Sequence, residues 1–251
     1  GAALRSAQQG QKSFIQALDF RRTLRICNAY PLDAALDVYV GNSDIKLTRA
    51  PMQYKECRDF SPKLDAGDRV DFKIEDSSAG TFTIADVPDG DAVLLLVIFR
   101  HDTFSTAVAF QSHVFAASSA SQIAVLDTFR GAAEAKVHIQ DVSPVAAEPS
   151  VAKRDEVLRF NGVVAVDPGI YHVELREAGV NATGTEAGAN ATAISAGNRD
   201  LVALPREAYV VIRVGVAAEG GGRSYPQELL IFPHSDRAAL GGAHRAARAP
   251  P

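Results

Sequence analysis

The sequence predicts an all-β protein built as two β-sandwiches in tandem, and three observations carry that prediction. The chain repeats itself: LRICNAYP (24–31) is echoed by VHIQDVSP (137–144), LDAGDRVDFKI (64–74) by VDPGIYHVEL (166–175), and AVLLLVIF (92–99) by AYVVIRVG (208–215). The order is the same in both halves and the spacing is about 110 residues, too long for a solenoid repeat and suited to a whole domain. Apolar residues recur with period two, and turn residues punctuate them every eight to fifteen residues or so. No convincing long amphipathic helix interrupts this pattern, which is that of sandwiches rather than of an α/β sheet.

Taken in order, residues 1–22 form an arm. It is polar at first (Gln8, Gln9, Gln11) and then carries Phe14, Ile15, Leu18 and Phe20, with Ser13 placed to cap a short helix. Period two begins at Thr23. Val38 and Val40 flank Tyr39; Val70, Phe72 and Ile74 alternate with Arg69, Asp71 and Lys73; Phe82 and Ile84 alternate with threonines. Gly41-Asn42, 65–68 (DAGD) and 88–91 (PDGD) are the turns between them. The first sandwich is placed at 23–132 and the second at 133–236. Strands of the second are expected near 136–141, 156–160, 170–175, 200–204, 209–214 and 228–232. A loop from 177 to 198, rich in Ala, Gly, Asn and Thr, has no core-forming residues, and 217–223 (AAEGGGR) reads as a hairpin tip. A basic, small-residue tail occupies 237–251.

Composition bounds the function. Across 251 residues, 47% are hydrophobic and 22% charged, which suits a globular chain with ample core. A net charge of −4 supplies no basic field for nucleic acid or anionic membrane. The longest apolar run, 92–99, falls far short of the roughly 20 residues that span a bilayer.

The two cysteines, Cys27 and Cys57, fall on strands about 30 residues apart. Arg25, Cys27 and Ala29 share one face, and Lys55, Cys57 and Asp59 share another, so both thiols are placed on the more polar faces of neighbouring strands. A bridge between them is expected, against the alternative of two reduced thiols, and would contribute roughly 3 to 4 kcal/mol by constraining the unfolded chain.

The phrase LRICNAYPLDAALDVYVG also carries a resemblance. Leu24, Ile26, Ala29, Pro31, Ala35, Asp37, Val38, Tyr39 and Gly41 resemble the opening of a family of extracytoplasmic domains of unknown function from bacterial and archaeal surface proteins. The segment 123–144 resembles that family's junction between copies. The resemblance implies immunoglobulin-like β-sandwiches in tandem and no catalytic residues. It covers 23–233, but the second copy departs from it after Pro144, where the Asp-Val-Tyr strand is missing.

Candidate chemistry is sparse. His101, His113, His138, His172, His234 and His244 form no HExxH, HxH or Cys/His cluster, so no metal site is expected. Asp86, Asp89 and Asp91 beside Gly90 could offer oxygen ligands to calcium, but they lack EF-hand spacing and are read as a turn. No GxSxG elbow, P-loop or GxGxxG occurs, and no catalytic or cofactor-binding residue is expected. Asn181 and Asn190 open two glycosylation sequons within the long loop.

The expected function is therefore non-catalytic. The chain is read as a structural or interaction subunit of a larger extracytoplasmic or lumenal assembly, peripheral to a membrane complex, with an algal photosystem as the first assembly to consider. Its partners would be protein subunits, contacted through the arm (Phe14, Ile15, Leu18, Phe20), the 177–198 loop and the tail (Arg237, His244, Arg245, Arg248). Segments of this composition hold one conformation where a partner orders them. The alternatives are a carbohydrate- or calcium-binding adhesion module, with Tyr30, Tyr54 and Tyr225 as its loop-tip aromatics, and, less favoured, an enzyme.

Overall fold

The computed structural model describes residues 20–41, 45–142, 155–177 and 193–240, with backbone alone at 193–198. Among the described residues sixteen strands follow one another. They are β1 (Arg22–Ala29), β2 (Leu36–Val40), β3 (Ile45–Lys46), β4 (Glu56–Phe60), β5 (Arg69–Ile74), β6 (Ser77–Thr83), β7 (Ala92–Arg100) and β8 (Val108–Ala116), then β9 (Ser121–Asp127), β10 (Ala135–Asp141), β11 (Asp155–Leu158), β12 (Gly162–Val166), β13 (Gly169–Glu177), β14 (Ala193–Ala203), β15 (Ala208–Val216) and β16 (Tyr225–Phe232). A single helical turn occupies 237–240.

They form four sheets of identical plan in pairs. The first sandwich packs β3-β2-β5-β6 against β4-β1-β7-β8, and the second packs β11-β10-β13-β14 against β12-β9-β15-β16. In both, the first and seventh strands pair parallel and the rest are antiparallel. The duplication read from the sequence is thus a duplication of topology, strand for strand.

The correspondence differs from the sequence echo in one respect. The counterpart of β1 is β9, not 137–144. Asn28 Oδ1 accepts the amide of Tyr30 at 3.0 Å, and Asp127 Oδ1 accepts that of Phe129 at 3.1 Å, the same turn closing both strands. Because β9 pairs with β12 and β15, the change of sandwich falls at 117–120 rather than at 132/133. Likewise β10 is the counterpart of β2, so the second copy keeps its second strand. Its apolar positions Val137 and Ile139 survive while the Asp-Val-Tyr signature does not. The long loop is shorter than expected, since β14 begins at Ala193. Strand β12, whose alternation lies among Gly and Ala, was not foreseen.

Three apolar cores follow from alternation. Leu24 and Ile26 of β1, with Leu94, Leu96 and Ile98 of β7, face the interior of the first sandwich. Ile123 and Val125 of β9, with Tyr209 and Val211 of β15, face that of the second. The intervening residues meet between the sandwiches: Cys27, Ala29, Leu95, Val97 and Phe99 pack with Ala124, Leu126, Val210, Ile212 and Val214. The molecule is therefore four sheets deep, and the strands at its centre are buried on both faces. This explains the unbroken apolar runs of β7 and β15, since a strand with one wet face would alternate.

The two inner sheets meet back to back. Lys55, at the start of β4, bonds Glu228 of β16 at 2.9 Å, and Gln111 of β8 bonds Asn161, at the start of β12, at 2.8 Å. As β4 corresponds to β12 and β8 to β16, each sheet offers the same strands to the other, the arrangement of an isologous dimer made within one chain. Gly215 permits the bulge in β15 between Val214 and Val216: its φ is +123°, and a Cβ there would lie 2.5 Å from the Pro226 carbonyl oxygen.

Candidate functional site

The two ends of the four-sheet body carry different chemistry. At one end lie the hairpin tip between β7 and β8 and that between β15 and β16. The strand ends that flank 178–192 open at this same end. The β7–β8 tip presents Phe104, 71% exposed, the most exposed large apolar side chain among the described residues.

The loop holding it is fixed from several directions. Asp102 Oδ1 accepts the amides of Phe104 (2.9 Å) and Ser105 (2.6 Å), and its Oδ2 accepts the Ser105 hydroxyl at 2.9 Å and lies 3.0 Å from His101 Nδ1. The His101 ring, then the Ser105 amide and hydroxyl, hold the Asp102 carboxyl well below the usual carboxylate range. The loop carbonyls are taken as well. Arg130 donates to His101 O (2.9 Å), the Glu219 amide to Thr103 O (2.9 Å), Arg100 Nε to Ser105 O (2.6 Å) and the Tyr30 hydroxyl to Thr106 O (2.7 Å). Two of these four braces, Arg130 and Glu219, come from the second sandwich. Phe104 thus sits at a tip that both halves position.

Ser105, His101 and Asp102 lie together, but not as a nucleophile and its base. In acyl-transfer triads the histidine bridges serine and acid. Here Asp102 bridges the other two, so the serine proton has a carboxylate already holding a loop, not an imidazole, to go to.

At the opposite end the arm leaves from Phe20, the chain crosses between sandwiches at 117–120, and 233–240 departs from β16. A groove of about 610 Å³ opens there, lined by Arg21, Thr23, Asp91 and Phe115 from the first sandwich side and by Gln122, Arg206 and Ala208 from the second. Asp91 Oδ1 accepts the amide of Arg21 at 2.7 Å, and Gln122 Nε2 donates across the junction to Ala116 O at 2.9 Å. A second cavity, about 390 Å³, surrounds Arg213. That guanidinium is 4% exposed and is spent on Gln227, Asp127 and the Ala133 carbonyl, with Phe129 beneath it at 4.4 Å, so it is an internal brace.

Of the residues expected to matter, Cys27 and Cys57 are bridged, directly opposite each other on β1 and β4. They do not lie on polar faces: both are buried, in the core between the sandwiches. Phe20 is 45% exposed, and Arg237 pairs with Asp200 at 2.7 Å. Phe14, Ile15, Leu18, His244, Arg245, Arg248, Asn181 and Asn190 lie outside the described residues. Tyr30 is buried rather than at a loop surface. Tyr54 and Tyr225 do meet, edge to face at 5.5 Å, beside Lys55 and Arg223, and burial pushes the Tyr54 hydroxyl far up.

Asp86 Oδ1 accepts the next amide, Val87 N, at 2.8 Å, as a turn residue does. Among the described residues no three His, Cys, Asp or Glu side chains are disposed to hold a metal, and no helix is long and apolar enough to cross a membrane. His138 and His172 sit on the outer sheet of the second sandwich against Asp155 (3.1 Å) and Asp200 (3.2 Å). Phe104 and the Arg21–Arg206 pair escaped the sequence reading. The Asp102-to-Ser105 spacing was a signal for the braced tip, whereas nothing local joins residues 21 and 206.

No protein-family model matches this chain, and no curated protein matches it at a significant level. Among solved structures, one described as a candidate cell adhesion protein from Bacteroides eggerthii aligns over 85% of this chain and 95% of its own at 9% identity, with a TM-score of 0.21. A likeness that slight carries no argument about function.

Proposed function

We propose that this protein is a non-catalytic interaction subunit that docks a protein partner through the end bearing Phe104, in an oxidising compartment outside the cytosol. One observation carries the reading: a large apolar side chain, 71% exposed, stands on a loop whose amides and carbonyls are held from both sandwiches. Exposing a phenylalanine so fully gains nothing for the isolated fold. Presenting it from a rigid tip spares a partner the ordering cost that weakens flexible contacts, as the anchor residue of an interface requires. The surrounding charges favour a protein over an anionic membrane. Arg100, Arg130 and Arg223 are matched by Asp33, Asp102 and Glu219, and Arg223 is paired directly with Asp33. A lipid surface would be met by an excess of cations.

The bridged cysteines support the compartment, because such bonds persist where thiols are not kept reduced. The finer assignment, an accessory subunit on the lumenal side of an algal photosystem, has no residue of this chain behind it; co-sedimentation with photosystem core subunits tests it. For the main reading, the native particle should be sized from source material. The chain is expected in a species well above its own 26.6 kDa, and Phe104→Asp is expected to shift it to monomer without lowering Tm. A wild-type chain that runs as a free monomer would sink the proposal.

A further inference from the structure

The groove at the other end has features that docking through Phe104 does not use. We infer that it binds a small organic anion: an apolar body bearing one carboxylate or phosphate group, held between Arg21 and Arg206.

Its volume, about 610 Å³, lies within the rough range of 300 to 1,000 Å³ typical of small-molecule sites. Its apolar floor comes from both sandwiches, Phe115 at the end of β8 and Ala208 at the start of β15, both buried. The site therefore exists only because the two halves are fused. Arg21 and Arg206 line it, and neither guanidinium makes a hydrogen bond or ion pair with another described residue. The single acid in the lining, Asp91, is already turned toward the Arg21 amide. The groove is thus locally positive on a chain whose net charge is −4.

Arg206 adds an independent observation. Its φ is +64°, in the left-handed region that glycine enters freely and an arginine enters only at a cost. The fold alone would be served better by glycine in the turn between β14 and β15. What arginine supplies there is its side chain, and that side chain lines the groove. A guanidinium fork matches the planar or tetrahedral oxygens of a carboxylate or phosphate, while the floor takes the apolar remainder.

The test uses the purified full chain, so its outcome is independent of whether Phe104 docks a partner. The probe is 8-anilinonaphthalene-1-sulfonate, an aromatic anion, compared with uncharged N-phenyl-1-naphthylamine. Saturable binding of the sulfonate is expected, weakened about tenfold or more in the Arg21→Ala/Arg206→Gly double variant. The neutral probe should be nearly unaffected. The single Arg206→Gly variant should keep or raise Tm, since it relieves the backbone while removing the ligand contact. Unchanged sulfonate affinity in the double variant, equal loss of both probes, or a lowered Tm for Arg206→Gly would each overturn the inference. Displacement of the sulfonate by octanoate or by octyl phosphate then assigns the anion as carboxylate or phosphate; displacement by neither overturns it.

Discussion

Arg25 is the most consequential single side chain in the body. It is 2% exposed, on the face of β1 that meets the second sandwich. Its guanidinium grips Asp59 with two bonds of 2.8 Å, donates to the Ala208 carbonyl, lies 3.6 Å from Glu207 and stacks over Phe232 at 4.9 Å. One residue thus ties β1 to β4 and to β15. Deleting Asp59 leaves the guanidinium charge uncompensated in the core. Replacing Arg25 with an apolar residue of similar volume leaves only the Asp59 carboxylate, which is 39% exposed and can be taken up by water. Asp59→Ala should therefore cost about 2 kcal/mol, less than a fully buried pair would, since Asp59 is 39% exposed and Ala208 and Glu207 remain with Arg25. Arg25→Met should stay within about 1 kcal/mol of the parent. Urea unfolding of the two variants measures both, and the reverse ranking would refute this account. Alternation correctly put Arg25, Cys27 and Ala29 on one face of a strand. Calling that face polar was wrong for a physical reason: residues 24–31 contain no sign that a second copy covers it.

Among the elements, β7 shows what could be read and what could not. Its apolar run was legible as one of the echoes between the two copies, and the structure shows that the run serves two cores. Leu96 faces the first sandwich and Leu95 the junction, with exposures of 2% and 1%. Leu95→Ala and Leu96→Ala should each cost about 2 to 5 kcal/mol in denaturant unfolding; a cheap Leu95 substitution would mean that the junction is loose. The tip after β7 titrates in a defined direction. Because the folded Asp102 carboxyl lies below its ordinary value, its bracing is present above the unfolded carboxylate pKa, about 3.9. It is lost only as pH falls through the lowered folded value. Amide exchange at Phe104 and Ser105 should stay protected at pH 4 and become fast at that pH in Asp102→Asn. Equal exchange in the two proteins would show that the carboxylate does not hold the tip. The elements the sequence reading missed are β3, β8, β12 and the start of β14; β12 holds Val163, Val164 and Val166, but they stand among Gly and Ala in a run too short to show a clear alternation.

At the scale of the whole molecule, the tandem arrangement is not two beads on a linker. Domains joined by small polar contacts unfold separately. Here the junction is a third apolar core, with Cys27, Val97, Val210, Ile212 and Val214 at zero exposure, and polar ties around it at Arg25, Lys55, Gln111 and Arg130. Opening one sandwich would strip the inner sheet of the other of its cover. The two should therefore unfold as one unit, in a single calorimetric transition whose van't Hoff and calorimetric enthalpies agree. The bridge extends the same argument. Cys27 and Cys57, 30 residues apart in sequence, lie in this shared core, so reduction removes a constraint worth roughly 3 to 4 kcal/mol from the entire body, not from the first sandwich alone. A Cys27→Ala/Cys57→Ala variant should keep one transition and move it down as a whole. Two resolved transitions, with only one shifted by the substitution, would show that the sandwiches are independent and that the core between them does not couple their stability.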